Sequence, residues 1–279
     1  EIAFMVNAGV MIILGIAAWF MLPKATLLKS GDDRGAANRE VLAGMSMTLR
    51  LPEVWLAGFA GFTVYLAYTS MPFFLTYLQD LHALPVLAIS IFGIVSTSAG
   101  RIGIALPSGF IADRFFGGAS GGLRSGLLGV AIIAAFTIAL TLSGGGAWTA
   151  MVLMSMLSVL FFFMRALYFA PFGEMGLPPR FSGSVIAVAA FIIYLPSSFA
   201  YLLWGFILDY FPGAAGYALM FGTLGVMAVA GAWVAHRLHT RILGGTAVRI
   251  SARLAAIDAK LGLVGDEKTL SALVDEQQQ

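Results

Sequence analysis

Seven long apolar runs, at about 2–22, 54–78, 86–112, 123–143, 147–170, 183–208 and 214–236, constrain this chain more than any other feature. Each reaches the roughly 20 residues that a helix needs to cross a hydrocarbon core about 30 Å thick. Peptide groups left unpaired in lipid are costly, so a spanning segment has to bond within itself and each run is expected to be helical. Composition removes the soluble alternative: 59% of the 279 residues are hydrophobic and 11% are charged, against roughly 25% charged in an ordinary soluble domain. The expected fold is an all-α membrane protein, a polytopic bundle of about seven transmembrane helices. Pro72 and Pro196 fall inside two of the runs and are expected to kink them, because proline removes a donor and crowds the preceding turn.

The segments between the runs give an orientation. The segment 23–53 carries Lys24, Lys29, Arg34, Arg39 and Arg50, and the tail beyond 236 carries Arg237, Arg241, Arg249, Arg253, Lys260 and Lys268. Arg114 and Arg124 flank the loop after the third run, and Arg180 lies in 171–182. The alternate loops 79–85, 144–146 and 209–213 hold no Lys or Arg. Of 16 basic residues, all but Arg101 and Arg165 lie in the segments of one side or, like Arg124, at their edge. Lysine and arginine are retained on the cytoplasmic side, so the 23–53 segment and the C-terminus are expected there, in a plasma (inner) membrane. The chain starts at Glu1 with no basic leader or cleavage site, and is expected to be a fragment whose true N-terminus lies upstream. The apolar 4-3-4 spacing of Ile250, Leu254, Ile257 and Leu261 fits a short amphipathic helix or a solvated tail.

The residues after the third run read Gly109-Phe110-Ile111-Ala112-Asp113-Arg114. They resemble the G-x-x-x-D-R signature of the major facilitator superfamily, which lies in a cytoplasmic loop after the second helix of each six-helix half. Position and charge bias agree, and the basic 23–53 segment is similar to the linker between halves. The departure is Phe115-Phe116-Gly117-Gly118 where basic residues are usual. The resemblance implies a six-helix half plus one preceding helix: 1–22 as the last helix of an N-terminal half, 23–53 as a cytoplasmic linker, 54–240 as a C-terminal bundle and 241–279 as a tail. It also implies a secondary transporter in which Asp113 and Arg114 belong to the cytoplasmic gate. Arg165-Ala166-Leu167-Tyr168-Phe169-Ala170, followed by Glu174, is similar to bacterial members of that superfamily.

An ionised side chain inside a bilayer costs several kcal/mol unless it is paired or hydrated, which singles out Arg101 and Arg165. Arg101 reads either as a contact for an anionic substrate or gate, or as a structural partner of Asp113 or of backbone carbonyls. Arg165 reads either as a cavity residue or as a side chain snorkelling to the headgroups. Tyr65, Tyr68, Thr69, Pro72 and Thr76 share one helical stripe, and Ser155, Ser158, Phe162 and Arg165 share another. The resemblance places both stripes on helices that line a central path. Tyr65, Tyr68, Thr69, Ser158 and Arg165 are therefore the expected substrate contacts, with Arg101, Asp113, Arg114 and Glu174 at the gate. Ordinary helix–helix hydrogen bonding accounts for the stripes equally well.

All 14 carboxylates lie outside the middle of the runs, so a proton relay, if there is one, falls to Asp113, Glu174 or residues upstream. Gly118-Ala119-Ser120-Gly121-Gly122 matches G-x-S-x-G in letters only, since a nucleophile elbow needs a strand before it. His236 and His239 are expected at the headgroups rather than on a metal. With no cysteine and a net charge of +2, thiolate chemistry is excluded and nucleic acid is not an expected partner. The function expected is secondary active transport of a small organic solute, with an organic anion favoured by the two arginines, a coupling proton or ion left open, and membrane lipid as surroundings. No cofactor or metal and no enzymatic activity are expected. A non-transporting scaffold or sensor, or an intramembrane enzyme, is the alternative.

Overall fold

The computed structural model describes residues 9–17, 45, 48–176 and 179–245. The chain divides into two units, Glu1–Ala43 and Gly44–Gln279. In the first, residues 9–17 are helical, with Met11, Ile12 and Ile13 exposed. The remainder of the first expected span, most of the 23–53 linker and the tail helix around 250–261 lie outside the described residues.

All the secondary structure of the second unit is helical among its described residues. Helix α1 (Pro52–Tyr68) opens on proline, whose missing N–H costs nothing at a helix start. Glu53 in that first turn is buried and accepts a hydrogen bond from Arg241 Nη1 at 3.1 Å. The helix stops one turn before Pro72, whose ring would clash with the carbonyl four residues back. Thr69 and Ser70 close it by donating their hydroxyls to Leu66 O (2.6 Å) and Ala67 O (2.6 Å). The chain resumes as α2 (Met71–His82).

Helix α3 (Val86–Ala99) runs into a π-helical turn, Gly100–Ile104, and then breaks at Ala105-Leu106-Pro107 before α4 (Ser108–Phe116). The run 86–112 is thus two helices rather than the single one expected, because Pro107 cannot continue the hydrogen-bond ladder. At Gly100 the backbone presses against Phe162, whose Cδ2 would lie 2.2 Å from any Cβ there, so only glycine permits the approach. Gly117 (φ 71°) and Gly118 (φ 111°) then turn the chain in the left-handed region into α5 (Ala119–Ser143).

Helices α6 (Ala147–Leu167), the short α7 (Ala170–Glu174) and α8 (Pro179–Tyr194) follow. A 3-10 turn at Leu195–Ser198, built on Pro196, separates α8 from α9 (Ala200–Tyr210). The last helix among the described residues is α10 (Ala214–Leu243). Among the described residues, six stretches are long and apolar enough to cross a membrane: Pro52–His82, Val86–Ile104, Ala119–Ser143, Ala147–Glu174, Ser182–Tyr210 and Ala214–Leu243.

Helices α5 and α10 pack antiparallel through small residues; a Cβ on Gly225 would lie 3.6 Å from Ala134 Cβ. Close approach of this kind drives association where lipid removes the hydrophobic incentive. The interior is aromatic, with Trp204, Tyr77, Tyr217, Phe74, Phe161 and Phe221 almost fully buried. Exposed side chains such as Leu87, Trp148 and Leu202 are as apolar as the core, as a lipid-facing surface requires. At Gly231 a Cβ would fall 2.1 Å from Thr63 Oγ1. Gly231→Ala is therefore expected to cost about 1–3 kcal/mol by overpacking, read as a lower unfolding midpoint in detergent. Adding Thr63→Ala should recover part of that loss, since the two changes share one contact.

Candidate functional site

Two of the six spans are broken at their middles, and the breaks face one another. Tyr68, the last residue of α1, lies midway along the 31-residue span Pro52–His82, and Tyr194, the last residue of α8, lies near the middle of Ser182–Tyr210. Trp204 on α9 donates its indole N–H to Thr69 Oγ1 at 3.1 Å, which ties the first break to the helix that follows the second.

Arg165 reaches this level from α6. Its guanidinium carbon stands 4.0 Å from the centre of the Tyr68 ring, so the side chain points to the middle of a span and does not snorkel to a headgroup. A guanidinium over a ring face gains from about 0.5 kcal/mol when exposed to about 2 kcal/mol when desolvated. The same charge is within electrostatic reach of the Tyr65 and Tyr168 hydroxyls. Tyr168, the residue that caps α6, shares a 2.8 Å hydrogen bond with Tyr194, and Tyr65 packs edge-on against Tyr194 with ring centres 4.9 Å apart. Among the described residues no carboxylate neutralises Arg165; rings and hydroxyls hold it.

A second cation stands beyond the next ring. Tyr68 meets Phe162 edge-to-face at 6.1 Å, and Arg101 Cζ lies 5.9 Å from the Phe162 centre. Beside these rings is a cavity of about 290 Å³, lined by Tyr68, Pro72, Phe92, Ser96, Thr97, Ser158, Phe162 and Tyr201 among others. Ser158 also donates to Met154 O at 2.9 Å. A second, more apolar recess of about 560 Å³ lies between α3 and α6 and is lined by Ser96, Gly100, Ser155 and Val159 among others.

The structure therefore brings Tyr65, Tyr68, Ser158 and Arg165 to one neighbourhood and adds Arg101, expected at a gate. Thr69 is placed otherwise: it is buried, and both its hydroxyl contacts are inside the bundle, to Leu66 and Trp204. It holds the helix break rather than lining the cavity. Thr76 is exposed. Asp113 and Arg114 are exposed on α4. Sequence reasoning missed Tyr168, Tyr194 and Trp204. The signal available for the first break was a tyrosine four residues before proline, and for the second a tyrosine two residues before.

Glu174 has a structural duty. Its carboxylate accepts from the backbone N–H of Ala119 and from that of Ser120 at 3.3 Å, so it caps α5 from another helix, where a negative charge meets unpaired N–H groups. Glu174→Ala should destabilise the protein by about 1–2 kcal/mol, and Glu174→Gln by less, because the amide oxygen still accepts but the charge is lost. Thermal unfolding of the two variants reads this directly. His239 is corrected by the structure as well. It is buried against Ser120, Oγ to Nδ1 2.9 Å, and not at the headgroups. The Ser120 of the G-x-S-x-G letters is thus a helix-start residue with its hydroxyl engaged.

With this geometry in place, the chain can be set beside known proteins. It is 28% identical over 236 residues to the inner membrane protein YihN of Escherichia coli K12, covering 84% of this chain and 55% of that protein. It is 26% identical over 213 residues to the inner membrane protein YqcE of the same organism, covering 76% and 50%. The chain spans about half the length of these curated relatives. No protein-family profile and no solved structure matches it. This overturns the assignment to the major facilitator superfamily from Gly109–Arg114: the profile comparison finds no such family, and the similar proteins are described only as inner membrane proteins. The structure gives a physical reason for the failure. A Cβ at Gly109 would meet nothing within 4 Å, so that position makes no steric demand for glycine, and three matching letters in six residues carry little information. The chain is an all-α, multi-spanning membrane protein similar in sequence to two Escherichia coli inner membrane proteins.

Proposed function

We propose that this protein is a secondary transporter of the inner membrane that carries a small organic anion, with its C-terminus in the cytoplasm. The observation that supports this most is that two mid-span helix breaks pack against each other, and that the first of them lines a cavity whose rings Tyr68 and Phe162 carry two arginines. Broken helices at membrane depth are tolerated where they line a cavity or are packed in protein, and they mark substrate sites in carriers. A continuous helix would satisfy the backbone more simply, so the breaks are retained for something other than stability. Arg165 and Arg101 supply positive charge that no described carboxylate neutralises, which favours an anion over a cation or a neutral solute. The hydroxyls of Ser96, Thr97 and Ser158 add polar contacts to an otherwise apolar wall, the usual chemistry of a small-molecule site. Tyr68 and Tyr194 sit at the hinges themselves, so a ligand that moves either ring bears on the bend angle of its span. That is the coupling between occupancy and shape that alternating access needs.

The test is uptake into proteoliposomes across a panel of sugars, sugar acids, organic phosphates, carboxylates and amino acids, with and without a pH gradient. Saturable uptake of one anion class, absent from protein-free vesicles, is the expected result. Saturable uptake of a neutral solute alone would remove the anion assignment. No uptake of any solute with folded protein would remove the transport reading and favour a scaffold or sensor.

A further inference from the structure

At the end of the bundle where α5 begins and α10 finishes, Arg241 is paired with Glu53, whereas Arg124, His236 and Arg237 have no carboxylate bonded to them among the described residues. Arg124, one turn beyond the start of α5, places Nη1 3.5 Å from Nδ1 of His236 on α10. Arg237, the next residue, stacks on the exposed ring of Trp233 with Cζ 4.9 Å from its centre. Glu174, within electrostatic reach of His239, has its two oxygens engaged by the N–H groups of Ala119 and Ser120. His239 faces inward, bonded to Ser120.

We propose that Arg124, His236 and Arg237 bind the headgroup phosphate of an anionic phospholipid at the seam between α5 and α10. Three features point to a lipid. A guanidinium whose one described partner is an imidazole at the limit of bonding distance keeps most of its five donors for an acceptor from outside. The Arg237–Trp233 stack holds a second guanidinium planar and beside an indole, the side chain that favours the membrane–water boundary. Along each helix toward the membrane the surface turns apolar at once, with Leu128 and Ile132 exposed on α5 and Trp233 on α10, so the phosphate position has hydrocarbon below it for acyl chains. A soluble phosphate would use the charges and have no need of that apolar floor.

The experiment uses the purified protein in neutral detergent micelles. Phosphatidylglycerol, phosphatidylcholine or inorganic phosphate is titrated in, and the unfolding midpoint is followed. Phosphatidylglycerol is expected to raise the midpoint more than phosphatidylcholine, and phosphate alone to do nothing. Arg124→Gln and Arg237→Gln should each weaken the response to phosphatidylglycerol about fivefold, the factor that corresponds to one basic residue near an anionic surface. Arg124→Lys, which keeps the charge, should retain most of it and shows that loss in the glutamine variant is not misfolding. Arg50→Gln, at an exposed basic residue just before α1 and outside the proposed set, should behave as the unaltered protein. An equal response to phosphatidylcholine or to phosphate overturns the proposal. So does a full phosphatidylglycerol response in the Arg124→Gln/Arg237→Gln double variant, or an equal loss in Arg50→Gln.

Discussion

Arg165→Ala is expected to lower uptake at limiting substrate by about 30-fold or more, the factor for ~2 kcal/mol, which is the lower range for removing one partner of a buried charge contact. The size of this effect is set by the surroundings of the guanidinium. It faces the Tyr68 ring at 4.0 Å and meets hydroxyls rather than a carboxylate, so an arriving anion would be its first full counter-charge. Arg165→Lys keeps the charge but loses the planar fork and the flat stacking surface, and uptake should fall between the two. Tyr68→Phe retains the ring face and should stay near the unaltered rate, whereas Tyr68→Leu removes the platform and should resemble Arg165→Ala. Losing the stack also costs about 1–2 kcal/mol of stability, so uptake has to be referred to folded protein measured in the same vesicles. Unchanged uptake in folded Arg165→Ala would remove this arginine from the path.

The second large effect is on stability, at Trp204. This side chain is fully buried and its indole N–H donates to Thr69 at the break between α1 and α2. Trp204→Ala should cost about 3–5 kcal/mol, from lost packing and the cavity left behind, seen as a fall in the unfolding midpoint on the order of 10 °C. Trp204→Phe keeps most of the volume and loses the donor, for about 1 kcal/mol. Thr69→Val tests the same bond from its other side. The double variant should cost clearly less than the two single costs combined. Additive costs would mean that the indole and the hydroxyl act independently. Because this bond joins the two broken spans, Trp204→Phe should also change the maximal uptake rate more than the half-saturating concentration.

Much of the architecture was legible without coordinates. Runs of 20 or more apolar residues have one physical solution in lipid, so the helices and their approximate limits follow from hydropathy. Pro72 and Pro196 announced two breaks for the same local reason, a missing donor and a ring clash. The break after Ile104 was less visible, because the run there stays apolar through Pro107 and composition does not register the change. The candidate site was legible in part. Helical stripes gathered Tyr65, Tyr68, Ser158 and Arg165, but they also gathered Thr69, since a stripe at 3.6-residue spacing is blind to the turn that ends α1 immediately after Tyr68.

What the sequence by itself determined is the class of solvent and the kind of structure that survives in it, because both depend on local sums of apolar surface and unpaired peptide groups. Which rings enclose Arg165, which hydroxyl steadies the helix break, and which oxygen caps α5 depended on the tertiary structure. Tyr68 lies 97 residues from Arg165, Trp204 135 from Thr69 and Glu174 55 from Ala119. Contacts at such separations are set by how helices cross and how far they rotate about their axes, and no local periodicity carries that information.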